Sequence, residues 1–381
     1  MKIAIATTGR FHVLDLAREL AALGHEVAFY SILPRSRTAR FGLPVAAHRG
    51  LLPWLLPLVA AQRYGGKGVR RQLAPLMLAA ADRLIAIKLE ACDVFIGMSG
   101  LCIESARAAR NRYGAKVFIE RGSRHVLSQQ AILDELRDRG LPSETVTSQY
   151  IERELAGYSL ADQVAIPSLH VAQSFLEQGF PVSKLFRNPY GVDLDMFMPT
   201  VAPANEPPRA IYTGAWSYRK GCGLLVEAVA RLDGAVQLLH VGAVADAPLP
   251  LQSWFQHQDA VAQWQLPTWY GRAQVFVLAS REEGLSLVQA QALACGLPVV
   301  CTDRTGGDDL AELTGLKEGI FVVPHDDPDA LVNGIRQAVD WAQSRFPVGV
   351  ARNLLGEARS RLSWRAYGER YSSKLAAMRS R

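Results

Sequence analysis

The chain has 381 residues, 49% hydrophobic and 20% charged, with 42 Lys and Arg against 36 Asp and Glu. High apolar content and a net charge of only +6 exclude disorder along its length, and the length suits two domains of roughly 150–200 residues. The five cysteines are scattered, odd in number and never spaced C-x2-C, which argues for reduced thiols and against both a disulfide framework and a zinc site.

The opening MKIAIATTGRF reaches a charge within ten residues and lacks an apolar signal core, so a cytoplasmic location is expected rather than export. Residues 2–7 read as a first strand, 8–10 as a tight turn, and HVLDLARELAAL as a helix ending near Gly24. A second strand follows over 26–31. Further strands are expected at 93–99, 115–121 and 162–168, with helices around 73–90, 101–112, 129–138, 144–160 and 169–178. Four prolines between Pro199 and Pro208 give that stretch the composition of a linker. Strands then resume at 209–214, 236–242, 274–280, 297–302 and 319–324. This alternation is the mark of βαβ units. The expectation is an α/β protein of two Rossmann-like, doubly wound domains, 1–198 and 199–363, facing a cleft, with a terminal helix over 364–381.

Charge is uneven. Residues 1–195 hold 24 Lys and Arg against 18 Asp and Glu, whereas the remainder balances at 18 each. From Val27 to Ala81 there are eight basic residues and no acidic one, and the uncharged run LLPWLLPLVAA lies among them. Eleven residues with two internal prolines cannot span a bilayer, which takes about 20. Either this is a solvated basic face beside a buried helix, or a surface for anionic lipid head groups or polyphosphate. Neither helix-turn-helix spacing nor an aromatic-interleaved basic motif points to nucleic acid.

The first strand–helix turn offers one glycine, Gly9, and the second strand ends in Tyr30–Ser31. A dinucleotide fingerprint needs three glycines and a terminal acid, so that reading is excluded. Gly9 is either a plain turn residue or a point where a phosphate or sugar nears the backbone. In the second half, Ser280–Arg281–Glu282–Glu283–Gly284–Leu285–Ser286–Leu287 leads from a strand into the helix LVQAQALA. Backbone N–H groups at such a start favour phosphate. Glu283 suits hydroxyl donors such as a sugar. Gln289 and Gln291 fit either that site or an exposed helix side.

EGLSLVQAQALACGLPVVCT resembles the signature of retaining glycosyltransferase family 4, of GT-B architecture, which reads E-G-F-G-L-x-x-x-E-A-x-A-C-G-x-P-V. TGAWSYRKGCGLLVEAV resembles that family's donor-phosphate segment. LADQVAIPSLHVAQSFLEQGFPVSKLFRNPYGVDLDMF resembles the end of its first domain, and TTGRFHVLDLARELAALGHEV its opening. The resemblance implies transfer of a hexose-type sugar from a nucleotide-diphosphate donor to a glycan or lipid-linked acceptor, in cell-envelope or exopolysaccharide synthesis. Front-face attack would be assisted by the leaving phosphate, with no cofactor and no metal. It implies that Lys220 neutralises the departing diphosphate and that Glu283 holds sugar hydroxyls. Gly284, Leu285 and Ser286 would line sugar and phosphate through backbone N–H groups, with Leu287 beside them. Position 291 would hold the ribose, His125 would stand close to the reacting sugar, and Gly9 would approach donor or acceptor. The terminal helix would cross back onto the first domain.

Two positions depart from the family pattern. The second glutamate is Gln291, and the arginine before the lysine is Ala215. Arg219 either compensates for the missing arginine or forms a structural ion pair. Asp193–Leu194–Asp195 has the form of a metal motif but reads as a turn. Asp308–Asp309 fits a loop contact to donor or acceptor, and Trp264, Trp269 and Tyr270 fit packing near a nucleotide base. A GT-B sugar-nucleotide epimerase and a non-catalytic sugar-nucleotide binder stay open as alternatives. The basic, Trp54-bearing stretch suggests peripheral attachment to an anionic membrane surface.

Overall fold

A computed structural model describes residues 1–204 and 206–379; positions 380 and 381 of the expected terminal helix lie outside the described residues. The first sheet contains β1 (Lys2–Ala6), β2 (Glu26–Ser31), β3 (His48–Gly50), β4 (Val94–Met98), β5 (Lys116–Glu120), β6 (Gln163–Ile166) and β7 (Leu185–Arg187). The second contains β8 (Arg209–Thr213), β9 (Gln237–Val241), β10 (Phe255–Gln258), β11 (Val275–Leu278), β12 (Val299–Thr302) and β13 (Ile320–Val323). Their orders are β3-β2-β1-β4-β5-β6-β7 and β10-β9-β8-β11-β12-β13. Every strand pair in both sheets is parallel. Helices cover both faces, so the central strands are uninterrupted runs such as IAIA, VFVL and VVCT, buried throughout.

Each sheet reverses strand order at one place, between β1 and β4 and between β8 and β11. Open parallel sheets bind ligands beyond the carboxyl ends of the strands at such a reversal. The turns leaving those strands therefore hold the site: Thr7–Arg10 and Ser99–Leu101 in the first domain, Gly214–Lys220 and Ala279–Glu283 in the second.

The helix Trp364–Arg379 lies against the helix His12–Ala22 of the first domain. Tyr371 donates to the Glu120 carboxylate at 2.7 Å, and Arg370 donates to the Asn188 side chain and the Pro189 carbonyl. Gly191 allows the tight crossing, since a Cβ there would lie 2.5 Å from the backbone of Trp364. All five cysteines are buried and free.

The uncharged run forms the helix Leu52–Tyr64, with Pro53 tolerated in its first turn and Pro57 inside. Leu55 is buried, but Trp54, Leu56 and Tyr64 are exposed, Tyr64 at 83%. The helix Lys67–Lys88 packs beside it and exposes Val69, Leu76 and Ile87. The basic stretch thus carries an apolar surface beside it, although the side chains of Lys67 and Arg71 lie outside the described residues.

Candidate active site

A cleft of about 1130 Å³ opens between the domains. Thr8, Arg10, His12, Ser99, Arg121 and Tyr190 line it from the first domain; Trp264, Leu287 and Gln291 line it from the second. Gly9 sits between two lining residues, with its N–H facing the Thr7 hydroxyl.

Lys220 and Glu283 are 63 positions apart in the chain and form a direct ammonium–carboxylate contact. The sheet causes this, because β8 and β11 are neighbours and the two residues lie in the turns leaving them. Arg219 pairs with Glu282 at 3.2 Å. Glu282 is buried and also accepts from Ser123, a lining residue of the opposite domain. Burial opposes its ionisation, but the Ser123 hydroxyl and the charges of Arg219, Arg121 and Lys220 hold it below the usual carboxylate range.

Gln291 lines the cleft and is almost wholly buried, and its Oε1 has no hydrogen-bond partner. An unpartnered buried acceptor is costly, and a ligand hydroxyl would satisfy it. Gln289 behaves differently: its amide is used within the protein by Thr305. Leu285 is buried against Gly306. The N–H of Ser286 donates to the Thr305 carbonyl at 3.2 Å and that of Glu283 to Arg304 at 3.0 Å, so the expected Ser286 amide contact is already committed. The N–H groups of Gly284 and Leu285 have no partner among the described residues.

The structure does not bring His125 to the cleft. Its imidazole folds back to cap the helix Val126–Asp138, accepting from the Leu127 N–H at 3.3 Å, and packs against Tyr158 and Phe175. Burial, with Arg121 nearby, lowers its pKa to about 4. The expected place beside a reacting sugar is thereby replaced by a helix cap. Asp193 accepts from the N–H groups of Asp195 and Met196, which makes the D-x-D segment a turn. Asp309 is a domain latch: it accepts from the Leu169 N–H and from Arg187. Tyr270 is core, bonded to Thr213 at 3.0 Å, and Trp269 stacks with Arg272, whereas Trp264 stands exposed at the cleft.

Sequence reasoning missed two features of the first domain. Arg121, buried and lining the cleft, is bound by Glu154 at 2.8 Å and by Gln129. Burial is the largest influence and works against its charge, but Glu154, Tyr158, Tyr150 and Glu282 together raise its pKa. His12 and Glu120 form a buried imidazole–carboxylate pair at 2.8 Å. No local spacing announces that pair, whose members are 108 positions apart.

Residues 8–191 match the model of the glycosyl transferase 4-like domain, and residues 207–340 match that of glycosyl transferases group 1. The D-inositol 3-phosphate glycosyltransferase of Xylanimonas cellulosilytica is 29% identical over 198 residues, 45% of this chain and 47% of that protein. The GDP-mannose-dependent alpha-mannosyltransferase of Mycobacterium tuberculosis is 27% identical over 214 residues, 53% of this chain and 54% of that protein. The matches thus span about half the length of these relatives. The structure of sucrose-phosphate synthase from Thermosynechococcus elongatus superposes with a TM-score of 0.65 at 19% identity, covering 100% of this chain and 99% of that one. Two facing Rossmann-like domains and two consecutive family matches lead to one assignment: the chain belongs to the family 4-type glycosyltransferases of GT-B architecture.

Proposed function

We propose that the chain is a retaining glycosyltransferase that moves a hexose-type sugar from a nucleotide-diphosphate donor to a glycan or lipid-linked acceptor, without a metal ion. The carrying observation is the meeting of Lys220 and Glu283 at the strand-order reversal of the second sheet, with the unpartnered Oε1 of Gln291 in the interdomain cleft. An arriving diphosphate draws Lys220 from Glu283 and frees that carboxylate to accept from sugar hydroxyls. Lys220 is then in place to offset charge on the departing diphosphate, as preorganised electrostatic stabilisation requires. Gln291 accepts from a ribose hydroxyl. Retention and metal independence are carried by the family resemblance.

The reading extends to a setting. Exposed Trp54, Leu56 and Tyr64, beside Arg63 and Arg70, form an apolar and basic surface suited to an anionic membrane face. Leu78, on the helix next to that surface, lines the cleft, which suits a lipid-linked envelope or exopolysaccharide acceptor. No helix among the described residues is long and apolar enough to cross a membrane. Attachment would be peripheral, on the cytoplasmic side.

The test is donor consumption with UDP-glucose and GDP-mannose, with and without candidate acceptors, alongside thermal shifts with UDP and GDP. Acceptor-dependent release of nucleotide supports the reading. Conversion to an altered sugar nucleotide without acceptor makes the protein an epimerase. Ala215 and Gln291, both weaker phosphate or ribose ligands than the family residues, make binding without turnover the third outcome.

A further inference from the structure

We propose that the first-domain wall of the cleft reads an oxyanion, a phosphate or a carboxylate, on the acceptor saccharide through Arg10 and Arg40. This rests on the transfer reaction proposed above and names the chemical class of its acceptor.

That reading assigns the donor to Lys220, Glu283 and Gln291 of the second domain, which leaves the opposite wall to the acceptor. Arg10, Arg18, Arg40 and Arg121 all line that wall. Two of them are committed within the protein. Arg121 binds Glu154 at 2.8 Å, and Arg18 binds Asp15 at 2.7 Å and Glu19 at 2.8 Å. Arg10 and Arg40 form no ion pair among the described residues. The carboxylates lining the cleft do not supply one. Asp15 lies in the field of Arg10 but is bonded to Arg18, and Asp193 accepts from the N–H groups of Asp195 and Met196.

The two guanidinium groups converge on one corner. Arg10 leaves the first strand–helix turn and lies over the Phe41 ring, 3.8 Å from its centre. Arg40 ends the helix Arg35–Arg40, directly before Phe41. Arg18 fastens the corner by donating to the Phe41 carbonyl at 3.2 Å. From the second domain Arg10 meets a neutral oxygen, Oε1 of Gln263, at 3.1 Å. Exchanging that amide for an anion is favourable, because a hydrogen bond between two charged groups is roughly twice as strong as a neutral one. The guanidinium fork keeps its charge and matches both carboxylate and phosphate. The surrounding chain adds no counter-charge: Val27 to Ala81 holds no acidic residue, and Arg35 and Arg37 stand on the same helix as Arg40. A cleft wall of one sign focuses its field and draws anions in. A neutral acceptor would make no use of this arrangement.

The experiment uses the full chain saturated with UDP or GDP, so that Lys220 is engaged, and titrates it by calorimetry with glucose 6-phosphate, glucuronate and neutral methyl glucoside. At least one anionic sugar should bind ~10-fold or more tightly than methyl glucoside, the scale of a charged hydrogen bond. Its affinity should weaken as salt rises. Preference for the first identifies a phosphate and for the second a carboxylate. Arg10→Gln and Arg40→Gln should each weaken the anionic sugar at least ~10-fold and leave nucleotide affinity intact. Arg10→Lys and Arg40→Lys, which keep the charge, should retain more of it. Equal affinity for all three sugars, or anion binding that both glutamine variants preserve, would overturn the inference and leave the transferase reading standing. Loss of UDP and GDP affinity in Arg10→Gln would make that arginine a donor ligand and overturn it as well. A wild-type chain that binds neither nucleotide would overturn the transferase reading; the same titrations without nucleotide, and their dependence on Arg10 and Arg40, then decide the anion site by itself.

Discussion

Gly284 approaches Gly122 of the opposite domain so closely that a Cβ at 284 would lie 1.9 Å from the Gly122 carbonyl oxygen. The contact is reinforced on either side. Ser168 donates to the Gly284 carbonyl at 2.6 Å, the His170 imidazole donates to the Glu283 carbonyl at 2.7 Å, and Ser123 binds Glu282. The segment proposed to bind the donor is therefore also the surface on which the domains close.

Gly284→Ala should consequently separate the domains, because the obstructing atoms are backbone and cannot rotate away. We expect transfer to fall at least tenfold, roughly 1.4 kcal/mol of barrier, with a larger radius of gyration by small-angle scattering. An unchanged scattering profile with full activity would remove the closure role.

Gln291→Glu should be tolerated and tighten binding of UDP or GDP by a few-fold. A carboxylate in place of the unpartnered amide oxygen accepts a charge-assisted hydrogen bond. Calorimetry measures it. A large loss of affinity would show that the amide nitrogen makes the contact.

Acid should loosen the closed form. Burial lowers the His170 pKa from 6.5 to about 4 despite its bond to the Glu283 carbonyl, and burial does the same at His125 and His240. These groups take up protons near 6.5 when unfolded but only near 4 when folded. Their contribution is complete above about 6.5 and is lost as pH falls toward 4. Thermal midpoints should drop between pH 7 and pH 5, and less steeply in His170→Gln. A flat midpoint across that interval would contradict these assignments.

Vesicle co-sedimentation tests the membrane surface. Binding should grow with anionic lipid and weaken in salt, since each Lys or Arg near the surface contributes about 1 kcal/mol. It should fall when Arg63, Lys67, Arg70 and Arg71 are neutralised. Arg70 also binds the carbonyls of Arg63 and Gly65, so Leu56→Ser with Tyr64→Ser provides a variant that spares that junction. Equal recovery on neutral and anionic vesicles would favour a soluble acceptor.

The central strands were legible because burial on both faces leaves an uninterrupted apolar run. The unforeseen strands, β3, β7 and β10, are three short edges; HRG and FQHQ carry polar residues that such positions tolerate. Lys220 and Glu283 were legible as motif residues, but their contact needed the β8–β11 pairing. The His12–Glu120–Tyr371 cluster was not legible, because it joins a helix start, a strand end and a helix returning from 251 positions beyond that strand end. His125 shows the converse: its neighbourhood in sequence suggested a site, whereas the backbone turn after β5 made it a cap.

The most direct test of the account is nucleotide release from UDP-glucose and GDP-mannose by Lys220→Ala and Glu283→Ala beside the wild-type chain. Both residues stand where diphosphate and sugar are proposed to bind, so each variant should turn over at least about tenfold more slowly with its circular dichroism unchanged. Wild-type rates in both folded variants would contradict the placing of the donor at the strand-order reversal of the second sheet.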